Sequence, residues 1–287
     1  MKIQDLQQLY AMHPQVSGLA KAIGDNRIQT IFLEGLIGSS APMVFSALSA
    51  LKRGKQSAGS HSFLFILQDA EEAGYFYHDL CQVMGETDAS GRPQVLFFPS
   101  SYRRAIKYGQ KDPASEILRT EVLTAIGQSS LNIVTYPEAL AEMVVTRKQL
   151  DARRLTFEQG QSLNVDESCQ TLREFGFREV DYVYEPGQFA LRGSILDVFS
   201  YSHEYPFRID FFGDDIDSIR TFEVENQLSK ERCDSAVIVP ELTSVEEKES
   251  LLCFLPHDTL LVTKDLPYVR ETIERTYQEI SIAKLFN

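Results

Sequence analysis

The hydrophobic period of the chain changes twice, near Arg147 and near Cys233, and this limits the possible folds more than any single motif does. Up to residue 146, short apolar runs alternate with stretches of helical period. Residues 4–14 read as an amphipathic helix ending near Pro14. Residues 29–35 (QTIFLEG) read as a buried strand closed by a glycine turn, and 41–54 as a helix stopped by Gly54. Strands are expected within 61–69 and 94–100, and residues 131–140 read as a strand entering a helix; helices are expected at 70–85 and 115–127. Strand–helix units of this length imply a largely parallel sheet covered by helices.

Beyond Arg147 the period shortens. Helix is expected only at 164–176, with Asn164 as its cap and Gly176 as its stop. Residues 178–187, 188–200, 205–214 and 215–226 then alternate apolar and polar positions between Pro-Gly, Gly, Tyr-Pro and Gly-Asp turns. That pattern suits an antiparallel sheet with one solvated face. Residues 235–240 and 258–265 are again short apolar strands, 266–281 are helical, and the chain is expected to return to its first sheet. The expected class is α/β: a mostly parallel sheet domain (1–146), an inserted α+β domain rich in antiparallel strands (147–232), and a return (233–287).

A formal charge of −13 argues against a general nucleic-acid surface, which needs basic groups over the phosphates. The longest apolar runs are strand-length, so no membrane partner is expected. The N-terminus lacks the apolar segment of a signal peptide, and a cytoplasmic location is expected. Cys81, Cys169, Cys233 and Cys253 are far apart and read as reduced thiols; the five histidines show no zinc-ligand spacing. No metal or other cofactor is expected.

Residues 35–42 have the outline of a phosphate-binding loop between a strand and a helix. The working motif is G-x-x-x-x-G-K-[ST], whose lysine and hydroxyl contact phosphate and magnesium. Here Gly35 takes the first position, Gly38 and Ser39 follow, and Ser40, Ala41 and Pro42 stand where glycine, lysine and hydroxyl belong. The segment reads either as an ordinary glycine turn or as a degenerate phosphate loop, and ATP binding is expected to be at background.

Residues 185–200 (EPGQFALRGSILDVFS) and 205–229 (YPFRIDFFGDDIDSIRTFEVENQLS) carry the most specific signal. They resemble the segment shared by transcription-repair coupling factors and the excinuclease component UvrB. The flanks 176–187 and 237–241 resemble the coupling factors. The resemblance implies a helicase-like domain that has lost its ATP-binding residues, with an interaction domain inserted in it. It further implies a truncated piece of a longer DNA translocase. The implied role is recruitment of the excinuclease component UvrA to stalled RNA polymerase for nucleotide excision repair. An intramolecular contact with C-terminal domains is also implied, while RNA polymerase and DNA would be met through missing domains. Two alternatives stay open: a nucleotide-dependent damage-binding module of the UvrB type, and a structural or autoinhibitory domain.

Arg192, before Gly193, and Arg178, after Gly176-Phe177, match the family's arginines. A guanidinium fork suits a partner carboxylate, although an internal salt bridge would use the same group. R192E is expected to weaken partner binding without unfolding the chain. Phe189 reads as a contact anchor or a buried strand residue, and Gly193 as a bulge or tight approach. Gly213-Asp214-Asp215 reads as a hairpin turn rather than a metal loop, with Arg208 and Arg220 pairing across strands with nearby acids. No catalytic residue is expected.

Overall fold

The computed structural model describes residues 3–53, 61–85, 87, 93–101, 112–127, 131–242 and 245–285; Gly54, the expected helix stop, lies outside them. In chain order the elements are α1 (Ile3–Met12), α2 (Pro14–Ile23), α3 (Ser40–Arg53), β1 (Phe63–Ile66), α4 (Ala70–Met84), β2 (Val95–Phe97), α5 (Pro113–Ala125), β3 (Asn132–Thr135) and α6 (Pro137–Leu140). There follow β4 (Val144–Val145), α7 (Arg147–Ala152), β5 (Leu155–Glu158), α8 (Val165–Glu174), β6 (Arg178–Glu179), β7 (Gln188–Arg192), β8 (Ile195–Phe199), β9 (Phe207–Phe212) and β10 (Asp215–Phe222). The chain closes with β11 (Ser229–Cys233), β12 (Ser235–Ile238), β13 (Lys248–Glu249), a 3-10 turn (Leu251–Cys253), β14 (Leu260–Thr263) and α9 (Leu266–Leu285).

Two compact units divide these elements. The first comprises Met1–Phe97, Gly127–Pro137 and Pro256–Thr272 over their described residues. Its sheet is parallel, in the order β14-β1-β3-β2. Phe63–Ile66 and Asn132–Thr135 are buried throughout, as strands covered on both faces must be. Asp69 starts α4 by accepting the N–H groups of Glu71 and Glu72 at 2.9 Å. Pro14, read above as a helix stop, also starts α2: at the first turn its missing N–H costs no hydrogen bond.

Residues 29–35 form no strand. Phe32 is 88% and Ile37 84% exposed, and no described strand pairs with this segment. An apolar run becomes a strand only when a neighbour supplies the ladder, and among the described residues none does so here.

The second unit comprises Phe98–Ile126, Glu138–Leu255 and Ile273–Asn287. Its main sheet runs β11-β10-β9-β8-β7-β6, antiparallel except for the β6–β7 pair. Period-2 alternation, with a bulge in β10 between Ile216 and Ser218, sends Phe189, Leu196, Val198, Phe207, Ile209, Phe211, Ile216 and Ile219 into one core with Cys169 and Leu172 of α8. Asn164 caps α8 through its Oδ1, as expected. Gly193 and Gly213 sit at φ +62° and +65° in the two-residue turns of the β7–β8 and β9–β10 hairpins. Such turns require positive φ, which glycine adopts without a Cβ clash.

Three expectations are corrected in this unit. Residues 178–187 contribute only the two residues of β6, because Pro186-Gly187 and the preceding turn leave no room for a ladder. Residues 147–152 are helical, Thr146 capping α7 through its hydroxyl. Ser235–Ile238 does not rejoin the parallel sheet: it pairs antiparallel with β5, so among the described residues only β14 returns. The interior unit therefore extends past residue 232.

Candidate interaction face

The face of the six-stranded sheet opposite its core is where charge collects. Positions alternate with the buried ones, so Arg192, Asp197, Arg208, Asp210 and Arg220 fall on one side. Asp197 is fully buried in the otherwise apolar strand β8. Its Oδ1 accepts Arg208 Nε at 2.7 Å, and its Oδ2 accepts Arg208 Nη2 at 2.9 Å and Arg192 Nη2 at 2.5 Å. One carboxylate thus holds two guanidinium groups, and its hydrogen bond raises the Arg208 pKa above the ordinary arginine range.

Arg192 is fixed further. Its Nη1 donates to the Asp181 carbonyl at 2.9 Å, and its guanidinium lies 4.9 Å from the centre of the half-exposed Tyr182 ring. The side chain keeps 34% of its surface open. It is therefore both an internal partner and a presented cation. Arg208 donates also to the Gln227 carbonyl and lies over Phe222, 4.3 Å from its ring centre. Arg220 pairs with Asp210 across the β9–β10 ladder, as expected; Arg208 uses Asp197 instead of the turn acids.

Arg178 is the more open of the two family arginines, 69% exposed and 3.9 Å from Glu185. It lines a cavity of about 320 Å³ with Glu185, Tyr201 and Glu241. Burial pushes the Tyr201 hydroxyl pKa up, with smaller contributions from Glu241 and Glu185.

Phe189 is not a contact anchor. It is fully buried on the core face of β7, so its role is packing and it presents nothing to a partner. Gly193 provides the hairpin turn beside Arg192 rather than a bulge.

In the first unit, Gly35 and Gly38 adopt φ +81° and +56° before α3. Ser39 Oγ donates to Asp79 Oδ2 of α4 at 2.6 Å, which places a carboxylate beside the loop. Ser40, Ala41 and Pro42 form the first turn of α3. Among the described residues no cluster of three or more His, Cys, Asp or Glu is placed to hold a metal ion, and no helix is long and apolar enough to cross a membrane. Cys169, Cys233 and Cys253 are free thiols.

Asp197 and Asp79 escaped the sequence reading. A lone aspartate inside the apolar run Ile195–Phe199 was the available signal, because a strand tolerates a buried carboxylate only beside cations. Asp79 carried no such signal; only the folded contact between α3 and α4 brings it to the loop.

Residues 155–243 match the model of the UvrB interaction domain, a family defined by interaction rather than catalysis. Over 175 residues the chain is 27% identical to the transcription-repair-coupling factor of Escherichia coli strain K12, covering 59% of this chain and 15% of that protein. The Haemophilus influenzae counterpart is 28% identical over 211 residues, 72% of this chain and 18% of its own length. That of Staphylococcus aureus strain RF122 is 25% identical over 287 residues, 97% of this chain and 22% of its own length. The chain spans 15–22% of the length of these curated relatives. It contains a UvrB interaction domain and matches transcription-repair-coupling factors over much of its length.

Proposed function

We propose that this chain is a non-catalytic recognition module of a transcription-repair-coupling factor, and that its interior domain docks the excinuclease component UvrA during nucleotide excision repair. The observation that carries the reading is the Arg192–Asp197–Arg208 network on the outer face of the domain matched by the UvrB interaction family. A carboxylate clamped between two guanidinium groups fixes Arg192 in place before any partner arrives, which lowers the ordering cost of binding. Arg178 adds a second, freer cation at the β6 edge of the same sheet.

The first unit is, in this reading, a helicase-like domain with a degenerate phosphate loop. Ala41 brings no charge where a nucleotide-binding loop needs lysine, and Asp79 would repel phosphate. ATP-driven translocation, RNA polymerase and DNA are assigned to regions of the longer protein outside this chain. A cytoplasmic setting follows from that role.

Isothermal titration with purified UvrA tests the proposal. Saturable one-to-one binding is expected, and ATP with magnesium should give no heat beyond dilution. A folded chain that fails to bind UvrA overturns the docking role and favours a contact within its own polypeptide. Micromolar ATP binding favours a module of the UvrB type instead.

A further inference from the structure

The cross-strand register sets three arginines abreast. Arg208 of β9 stands opposite Arg220 of β10, which stands opposite Arg232 of β11. Adjacent strands lie about 4.8 Å apart, so these cations are immediate neighbours. Like charges directly opposite one another destabilise a sheet unless they are neutralised.

The structure supplies acids for the first two. Arg208 has Asp197 and Arg220 has Asp210. Arg232 is exposed and makes no ion pair among the described residues. Arg220 is itself only partly satisfied, for its Nε–H is buried without an acceptor while a terminal nitrogen takes Asp210. The cluster holds three cations and two carboxylates, Asp197 in register with Arg208 and Asp210 two residues along β9, in a chain whose formal charge is −13. An excess of positive charge here runs against the composition of the whole molecule.

We propose that Arg232, beside Arg220, is a carboxylate-binding position for an acidic side chain of the protein partner, distinct from Arg178 and Arg192. The inference rests on the docking role proposed above and adds the β10–β11 end of the sheet to it. The acid supplied by the partner completes the alternation that Asp197 and Asp210 begin. From β7, which carries Arg192, to β11 is about 19 Å at the usual strand spacing. The partner must therefore present two acidic groups roughly that far apart.

The test compares the wild-type chain with R232E, R232Q and R232K, each checked by its melting curve. Titrated with UvrA, R232E is expected to lose about tenfold or more in affinity, most at low salt, with R232K close to wild type. Wild-type binding with unchanged R232E affinity overturns the carboxylate position and leaves the docking role standing. If the wild-type chain does not bind UvrA, the docking role falls, and a second probe decides the position by itself. Hexaglutamate is titrated against labelled chain by nuclear magnetic resonance. Shifts centred on the amides of Arg208, Arg220 and Arg232, and abolished in R232E, support a carboxylate site. Shifts elsewhere or none overturn it.

Discussion

Replacing Asp197 by asparagine is expected to destabilise the interior unit by about 3–5 kcal/mol, the range for breaking a buried ion pair from one side. The carboxylate has no solvent exposure and accepts three hydrogen bonds from Arg192 and Arg208. An amide keeps the shape but loses the charge and one acceptor: with its oxygen at the Oδ2 position its N–H₂ faces Arg208 Nε, and flipped it faces the Nη2 groups of both arginines. Urea unfolding should show a lower midpoint at an unchanged slope. A loss below about 0.5 kcal/mol, the usual size for surface substitutions, would mean that the network is not a structural support.

Arg192→Gln is expected to separate recognition from stability. Asp197 keeps its two-point pairing with Arg208 Nε and Nη2, so folding should lose only about 1 kcal/mol. Binding to UvrA should weaken by about 2 kcal/mol or more, roughly 30-fold, because a charged donor leaves the presented face. Charge reversal is a poorer probe: R192E would set a second carboxylate against buried Asp197, and lost binding would then include lost structure. The 2.5 Å contact with Asp197 leads us to expect that R192E costs stability as well as binding. Titration of R192Q at matched melting temperature decides the matter; wild-type affinity would remove Arg192 from the interface.

The parts of the fold legible in the sequence are those whose periodicity matches their burial. β1 is a continuous apolar run and β3 has an apolar centre, and both strands are buried throughout. β9 alternates Phe207, Ile209 and Phe211 with Arg208 and Asp210, and each falls on the expected side. Residues 29–35 misled because their composition is that of a buried strand, whereas a strand is a relation between two segments. β12 misled for the converse reason: its partner β5, Leu155–Glu158, is too short and too mixed to announce itself. Of the candidate site, the arginines were visible through resemblance, but the acid that organises them was not. Phe189 illustrates the same limit, since one face of β7 is core and the other is surface, and only the register decides which.

The return of β14 also sets an order of assembly. Leu260 pairs with Phe63, a contact that cannot form until the chain has been made as far as β14. Within the interior unit, β4 pairs with β13 and β5 with β12, which fastens the two ends of the excursion together. Once these staples close, the span between β3 and β14 shrinks from roughly 125 residues to about 20, and the entropy of closing it falls by ~1.6 kcal/mol. The interior unit should therefore fold first and shorten the loop that the parallel sheet has to close. Pulse-labelled hydrogen exchange during refolding should show amides of β7–β10 protected before those of β1; simultaneous protection would argue for a single cooperative step. A ribosome would then release a finished antiparallel sheet while the parallel one still waits for β14.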